Sequence, residues 1–197
     1  WNDSINGDFN YGVSFNISDY RSRMGYMADR QSISSGKITE EGSFYQEWYG
    51  FQSNGIILNE DAMKDAEGNS IPLYTAKDKP GCLSYVDQNG DHIINDKDKV
   101  ILGSATPDLF GTLYNRFEYR GLALDVTLGY SWGNEAYNAT RRYIESSDDF
   151  GNQSLAVVRR WTMNGQQTDM PRANYGDVVG NNDFSARWIE DASYLKV

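Results

Sequence analysis

The sequence predicts an all-β fold, made of antiparallel strands of a large transmembrane β-barrel with long extracellular loops. The first observation is residues 122–132, which alternate between apolar and polar side chains without interruption. Their length matches the roughly 9–11 residues that a tilted strand needs to cross a bilayer. The second is composition, with 14% aromatic residues, 19 Gly and only 4 Pro. The third is that very short connections alternate with very long ones, as in outer-membrane barrels.

The strand at residues 122–132 has one apolar and one polar side, because successive side chains point to opposite faces. The apolar side comprises Leu122, Leu124, Val126, Leu128, Tyr130 and Trp132. The polar side comprises Ala123, Asp125, Thr127, Gly129 and Ser131. The apolar side ends in Tyr and Trp, which gather at membrane–water interfaces. Hydrocarbon is therefore the expected neighbour of this side.

Other stretches carry the same pattern. Residues 7–21 predict a first strand, and residues 43–58 a second strand region with poorer alternation. Residues 109–119 predict a third strand, and the short connection at 119–121 joins it to residues 122–132 as a hairpin. Residues 187–197 begin a further strand. Apolar residues at near-helical spacing predict one short helix at 155–163.

Two long polar segments, 59–107 and 133–187, are predicted to be extracellular loops. Loops of this length are uncommon in compact domains and usually carry function. We also expect residues 1–197 to be an incomplete segment of a barrel, since residues 194–197 read as a strand that is cut short.

Composition excludes several function classes. A formal net charge of -10 argues against nucleic acid and against a basic patch that binds anionic lipid. The single cysteine, Cys82, cannot form an internal disulfide and gives no zinc motif. The mean hydropathy of -0.66 is compatible with a barrel, because half of each strand faces water.

The sharpest local motif is residues 87–98, which have the ligand spacing of an EF-hand calcium loop. The oxygen-bearing side chains stand at relative positions 1, 3, 5, 9 and 12; they are Asp87, Asn89, Asp91, Asn95 and Asp98. His92 replaces the usual Gly at position 6, and Asp98 is shorter than the usual Glu. The motif predicts weak Ca²⁺ binding, against the alternative of a solvated turn that keeps this shape without an ion.

No catalytic constellation is recognisable, so we predict that the protein is not an enzyme. His92 is the only histidine, and no nucleophile or orienting partner is apparent for it. The acidic pairs are Glu40–Glu41, Asp148–Asp149 and Glu190–Asp191. Such pairs occur by chance in an acidic chain. The loop aromatics, which could stack on sugar rings or pack on protein, are Tyr74, Tyr137, Tyr143, Phe150, Tyr175 and Phe184.

Several separated stretches resemble the SusC/RagA group of TonB-dependent outer-membrane transporters. The weaker matches are residues 85–91, 100–109 and 119–124. The most diagnostic are Arg160-Trp161-Thr162, residues 169–173 and residues 184–195, the last reading FSARWIEDASYL. Their order resembles the C-terminal third of the barrel, and the likeness covers essentially the whole chain.

The resemblance implies nutrient import across the outer membrane of a Gram-negative bacterium. It implies a SusD-like surface lipoprotein as a lid, and TonB machinery acting through an N-terminal part that this chain lacks. The cargo would be a glycan or oligosaccharide, or else a peptide. The loop residues expected to contact ligand or partner are Tyr137, Arg141, Tyr143, Trp161 and Arg172.

Two other readings stay open on the sequence. One is a soluble secreted β-sandwich module that binds carbohydrate or is stabilised by calcium, with the apolar strand faces meeting in a core. The other is a glycoside hydrolase fragment, which would need two facing carboxylates at roughly 5–9.5 Å. The surroundings of Leu122, Leu124, Val126 and Leu128 distinguish a membrane wall from a sandwich.

Overall fold

A computed structural model describes residues 2–5, 7–75 and 77–197. The regular secondary structure of the described residues is mainly β-strand, with one α-helix of seven residues, α1 (Ala139–Glu145). The strands are β1 (Asn2–Ile5), β2 (Phe9–Ser18), β3 (Gln31–Ser34), β4 (Lys37–Glu40), β5 (Glu47–Phe51), β6 (Ser53–Ile56), β7 (Leu83–Tyr85), β8 (Lys99–Gly103), β9 (Leu109–Tyr119), β10 (Leu122–Trp132), β11 (Glu135–Tyr137), β12 (Ile189–Asp191) and β13 (Tyr194–Lys196). Single 3-10 turns occur at Asp61–Met63, Asp96–Asp98, Leu155–Arg159, Tyr175–Asp177 and Ala186–Trp188. Among the described residues, no helix is both long and apolar enough to cross a membrane.

The largest sheet has five antiparallel strands in the order β1-β2-β9-β10-β13. The predicted hairpin is confirmed, with Tyr119 opposite Leu122 and a two-residue turn between them. Arg120 and Gly121 both take positive φ, 45° and 89°. This is the pattern of the type I′ turn, whose twist suits the strands it joins. The five-stranded sheet is open, so it forms part of a wall.

The register gathers the apolar side chains of neighbouring strands onto one surface, which we call the apolar face. Its members on β2, β9 and β10 are Phe9, Tyr11, Val13, Phe15, Ile17, Leu109, Leu113, Phe117, Tyr119, Leu122, Leu124, Val126, Leu128, Tyr130 and Trp132. Leu122 is 76% exposed and Leu124 is 60% exposed, so neither is sealed against a second sheet. This observation contradicts the sandwich reading.

Asn115 is the one amide side chain in the middle of the apolar face, where it lies opposite Val13 and Val126. The Tyr11 hydroxyl donates a hydrogen bond of 3.1 Å to the Asn115 Oδ1 atom. The opposite, polar face carries Arg116, which forms ion pairs with Glu118 and Asp125. The two faces thus differ as the wall of a membrane barrel requires.

Residues 19–108 and 133–193 leave the same end of the five-stranded sheet and fold together into what we call the loop layer. It contains a four-stranded sheet, β3-β4-β5-β8, and the pairs β6–β7 and β11–β12. The layer has its own apolar core. One buried cluster comprises Phe51, Leu83, Tyr85 and Ile94, and another comprises Ile57, Cys82 and Val179.

Two sequence predictions need correction here. The strand region at 43–58 does contain strands, β5 and β6, but they belong to the loop layer. The helix expected at 155–163 is only a 3-10 turn, Leu155–Arg159, whose Val157 is buried while Leu155 and Val158 are exposed. Among its described residues, the predicted loop segment 59–107 also holds β7, β8 and two 3-10 turns.

Candidate functional site

The loop layer is the candidate functional region, because its two segments are joined into one body. The Phe51 amide donates to the Phe184 carbonyl at 3.0 Å, and the Leu83 amide donates to the Asn181 Oδ1 atom at 2.8 Å. The Tyr85 hydroxyl donates to the Gly180 carbonyl at 2.6 Å. Bonds between segments so distant in sequence join the two segments into one packed layer.

Tyr137, a predicted contact residue, lies in an aromatic cluster inside the layer. Its ring centroid is 4.8 Å from that of Phe184 and 6.1 Å from that of Trp48. Phe184 fits into this cluster because it packs on Gly50, which has no side chain. An added Cβ at Gly50 would lie 2.4 Å from the Phe184 carbonyl oxygen. Tyr137 is therefore half-buried and its ring faces are used by the protein itself.

Arg141, a second predicted contact residue, lies on the first turn of α1 and belongs to a network of ion pairs. Its guanidinium lies 3.1 Å from Glu145 and 2.8 Å from Glu190. Hydrogen bonds from Asn138 and Arg141 hold the pKa of Glu190 below its usual value. Arg187 approaches Glu145 at 3.7 Å, and burial lowers the pKa of Arg187. Arg141 thus ties α1 to β12.

The other three predicted contact residues lie apart from this network. Trp161 donates its indole N–H to the Leu58 carbonyl at 2.9 Å. Trp161 and Arg172 meet at Gly81, where an added Cβ would lie 2.4 Å from the indole ring and 3.0 Å from Arg172 Cβ. Tyr143 lies on α1 and is exposed. The structure therefore brings Trp161 and Arg172 together, but the five residues do not form one site.

The loop at 87–98 closes on its own side chains. The Asp87 carboxylate accepts the amides of Gly90 at 2.7 Å and His92 at 2.8 Å. Desolvation opposes its charged form, but the amides of His92 and Gly90 outweigh it and lower the pKa of Asp87. The fully buried Asp98 accepts the amide of Asn95 at 2.8 Å. His92 takes φ 61°, so it makes the turn for which such loops normally use Gly.

Other side-chain oxygens of this loop also accept hydrogen bonds from its backbone amides. Asn89 Oδ1 accepts the Asp91 amide at 2.8 Å, and Asn95 Oδ1 accepts the Lys97 amide at 2.9 Å. In the described part of the chain, no three Asp, Glu, His or Cys side chains are grouped so that they could hold a metal ion. Calcium binding by this loop stays a prediction.

An exposed aromatic pair, Phe150 and Tyr175, stands on the second segment of the layer. The ring centroids are 5.4 Å apart, and the residues are 94% and 73% exposed. The backbone beneath them is fixed, since the amides of Asn174 and Gly176 donate to the carbonyls of Ser147 and Asp148 at 3.1 and 2.8 Å. Of the predicted loop aromatics, Tyr74, Tyr137 and Phe184 make ring contacts inside the layer instead.

Comparison with known proteins confirms the resemblance to TonB-dependent receptors. TonB-dependent receptor P26 of Formosa agariphila is 34% identical over 117 residues, which are 59% of this chain and 12% of the relative. TonB-dependent receptor P3 of the same organism is 24% identical over 211 residues, covering 98% of this chain and 19% of the relative. The chain thus spans about a fifth or less of the curated relatives it matches. No protein-family model matches the chain.

The predicted fold is confirmed by solved structures. The RagAB peptide transporter superposes with a TM-score of 0.74 at 19% identity, over 100% of this chain and 20% of that chain. The same importer in its open-open state gives a TM-score of 0.66 at 20% identity. These likenesses show the fold, an antiparallel barrel wall with its loops, and the relatives are named as receptors and transporters.

Proposed function

We propose that this chain forms part of the barrel wall and extracellular surface of a TonB-dependent nutrient importer in the outer membrane of a Gram-negative bacterium. The observation that carries the proposal is the apolar face, whose Leu122 and Leu124 stay exposed while the loop layer buries a core of its own. A continuous surface of exposed apolar side chains marks a contact with membrane or protein. Hydrocarbon fits an alternating strand wall best.

The two ends of the five-stranded sheet give its orientation. The short turns that precede β2 and β10 lie together at one end, joined by an ion pair of 3.0 Å between Arg120 and Asp8. The loop layer lies at the other end. Outer-membrane barrels keep short turns in the periplasm and long loops outside. The loop layer would therefore meet nutrients first, and it would bind them without bond chemistry.

We take an oligosaccharide as the cargo and a peptide as the alternative. The test is uptake of fluorescent oligosaccharides and peptides by cells that carry the full-length receptor, with and without a functional TonB. We expect TonB-dependent accumulation of an oligosaccharide. Accumulation that is equal without TonB, or absent for every cargo, would overturn the proposal.

A surface lipoprotein of the SusD type is the proposed lid, and the exposed aromatic pair is its proposed contact. Aromatic side chains, Phe and Tyr among them, are enriched at protein interfaces. Substituting Phe150→Asp together with Tyr175→Asp in the full-length receptor should reduce co-purification of the lipoprotein at least roughly tenfold. Tyr26→Asp, at a position 87% exposed, is the control and should have no effect. Equal co-purification by all variants would show that the pair is not the contact.

Calcium binding by residues 87–98 is proposed as an accessory, stabilising property. It is supported by the oxygen spacing and by the left-handed turn at His92. Extracellular sites of this kind bind with a Kd of about 10⁻⁴–10⁻³ M. Millimolar Ca²⁺ should raise the Tm of the receptor relative to EDTA, and Asp91→Asn should remove the increase. An identical Tm in Ca²⁺ and EDTA would refute it.

A further inference from the structure

Three cationic side chains line one cavity of the loop layer. The cavity has a volume of about 390 Å³ and lies where residues 77–82 meet residues 172–179. Its cations are Lys77, Lys79 and Arg172, and its apolar lining is Cys82, Val178 and Val179. The volume falls within the roughly 300–1,000 Å³ of small-molecule sites. The two segments of the layer contribute to it jointly.

The turn that carries the two lysines is held by a buried carboxylate. Asp78 accepts the Tyr74 amide at 2.8 Å, and the Thr75 amide and hydroxyl at 3.3 and 2.9 Å. It is therefore engaged in shaping the turn. The Cys82 amide then donates to the Lys79 carbonyl at 3.0 Å, which continues the turn into β7.

Arg172 reaches the same cavity from the second segment. Its amide donates to the Gly81 carbonyl at 2.7 Å, and its Cβ packs close to Gly81, whose φ is 92°. The backbone amide of Arg172 makes the bond to Gly81, so this bond does not occupy the guanidinium. Beside it, the Asn174 side chain is best oriented with its amide oxygen accepting the backbone N–H groups of Val178 and Val179, at 2.9 and 3.2 Å.

The carboxylates near the cavity, Asp78 and Asp177, are held by backbone amides and not by its cations. Within the described residues, neither lysine nor Arg172 takes part in an ion pair with a carboxylate. The nearby Asp177 uses its oxygens for the amides of Asn181 and Asn182, at 2.8 and 2.9 Å. Burial raises the pKa of the Cys82 thiol, which keeps it neutral. Three unpaired cations at one cavity, in a chain of net charge -10, indicate an anionic ligand.

We propose that this cavity binds an acidic sugar unit, a uronate carboxylate or a sulfate ester, of the imported oligosaccharide; this rests on the proposed function. An arginine fork matches the paired oxygens of a carboxylate or sulfate, and lysines add point charges. The apolar lining offers a surface for the ring carbons. The cavity would thus select charged glycans over neutral ones.

The test is calorimetric binding to the full-length receptor in detergent, with four probes. These are an oligoglucuronate, a sulfated oligosaccharide, a neutral oligoglucoside of equal length and an acidic peptide. We expect one or both anionic sugars to bind, with affinity falling at least roughly tenfold, or about 1.4 kcal/mol, in Arg172→Gln and in Lys79→Gln. Arg172→Lys should restore part of it. Lys64→Gln, an exposed lysine of the same segment, is the matched control.

Several outcomes would overturn the inference. They are tighter binding of the neutral sugar, binding of the peptide alone, or equal affinity in all variants. Gel electrophoresis with and without heating checks that each variant is folded. Lys79→Gln changes an exposed side chain and should leave the fold intact. The proposed function fails separately, when neither an oligosaccharide nor a peptide is taken up through TonB.

Discussion

The middle of β10 offers the sharpest prediction, because Val126 and Thr127 are neighbours on opposite faces of the wall. Val126 lies on the apolar face opposite Asn115, and Thr127 lies on the polar face opposite Tyr114. A strand of 11 residues is about 37 Å long, and a tilt of about 45° gives it a rise of about 26 Å. Both residues should therefore lie near the bilayer midplane.

At that depth, Val126→Arg should destabilise the folded receptor by about 2–4 kcal/mol. Thr127→Arg should cost less than about 1 kcal/mol, because the polar face meets water. The assay is urea-induced unfolding of the full-length receptor in lipid vesicles. The folded fraction is measured from the different mobilities of folded and unfolded barrel in gel electrophoresis of unheated samples. If Thr127→Arg costs as much as Val126→Arg, or neither has a cost, the assignment of the two faces is wrong.

Further substitutions test the sheet and the loop layer. Tyr11→Phe should cost about 1 kcal/mol in urea unfolding, since it leaves the Asn115 amide without its 3.1 Å partner, whereas Tyr11→Phe combined with Asn115→Leu, which removes both partners, should be close to neutral; equal losses would contradict this. Glu47→Gln should slow hydrogen exchange in the loop layer at pH 8, because burial raises the pKa of Glu47 and penalises its charged form. That gain should vanish below about pH 4, where folded and unfolded states are both protonated, and a gain that grows on acidification would refute it. Gly50→Ala should speed proteolysis of the layer, because the new methyl would lie 2.4 Å from the Phe184 carbonyl oxygen; unchanged proteolysis would contradict the packing.

The strands of the wall could be predicted from the sequence because their signal is local. A period of two, sustained through 109–119 and 122–132 with a two-residue turn between, determines both strands and their register. Asn115 also stands in the sequence as a polar residue at an apolar position of 109–119. What the pattern could not show is its partner, since Tyr11 lies on another strand.

The loop layer was predicted less well because its contacts join distant segments. Trp161 reads as a ligand contact from its position, yet its indole N–H is bonded to Leu58. The apolar spacing at 155–163 suggests a helix, but the segment forms a 3-10 turn in which Val157 is buried while Leu155 and Val158 are exposed. The cavity cations come from both segments, so no spacing links Lys79 to Arg172 in the sequence.

The most direct test of the central claim is a nitroxide scan of residues 122–132 in the full-length receptor, reconstituted in liposomes. Collision rates with oxygen, which concentrates in lipid, and with a water-soluble nickel chelate report the surroundings of each position. The account predicts strict alternation, with even-numbered positions such as Leu124 accessible to oxygen and odd-numbered positions such as Thr127 accessible to nickel. Uniform accessibility, or even-numbered positions shielded from both reagents, would contradict a wall that faces hydrocarbon.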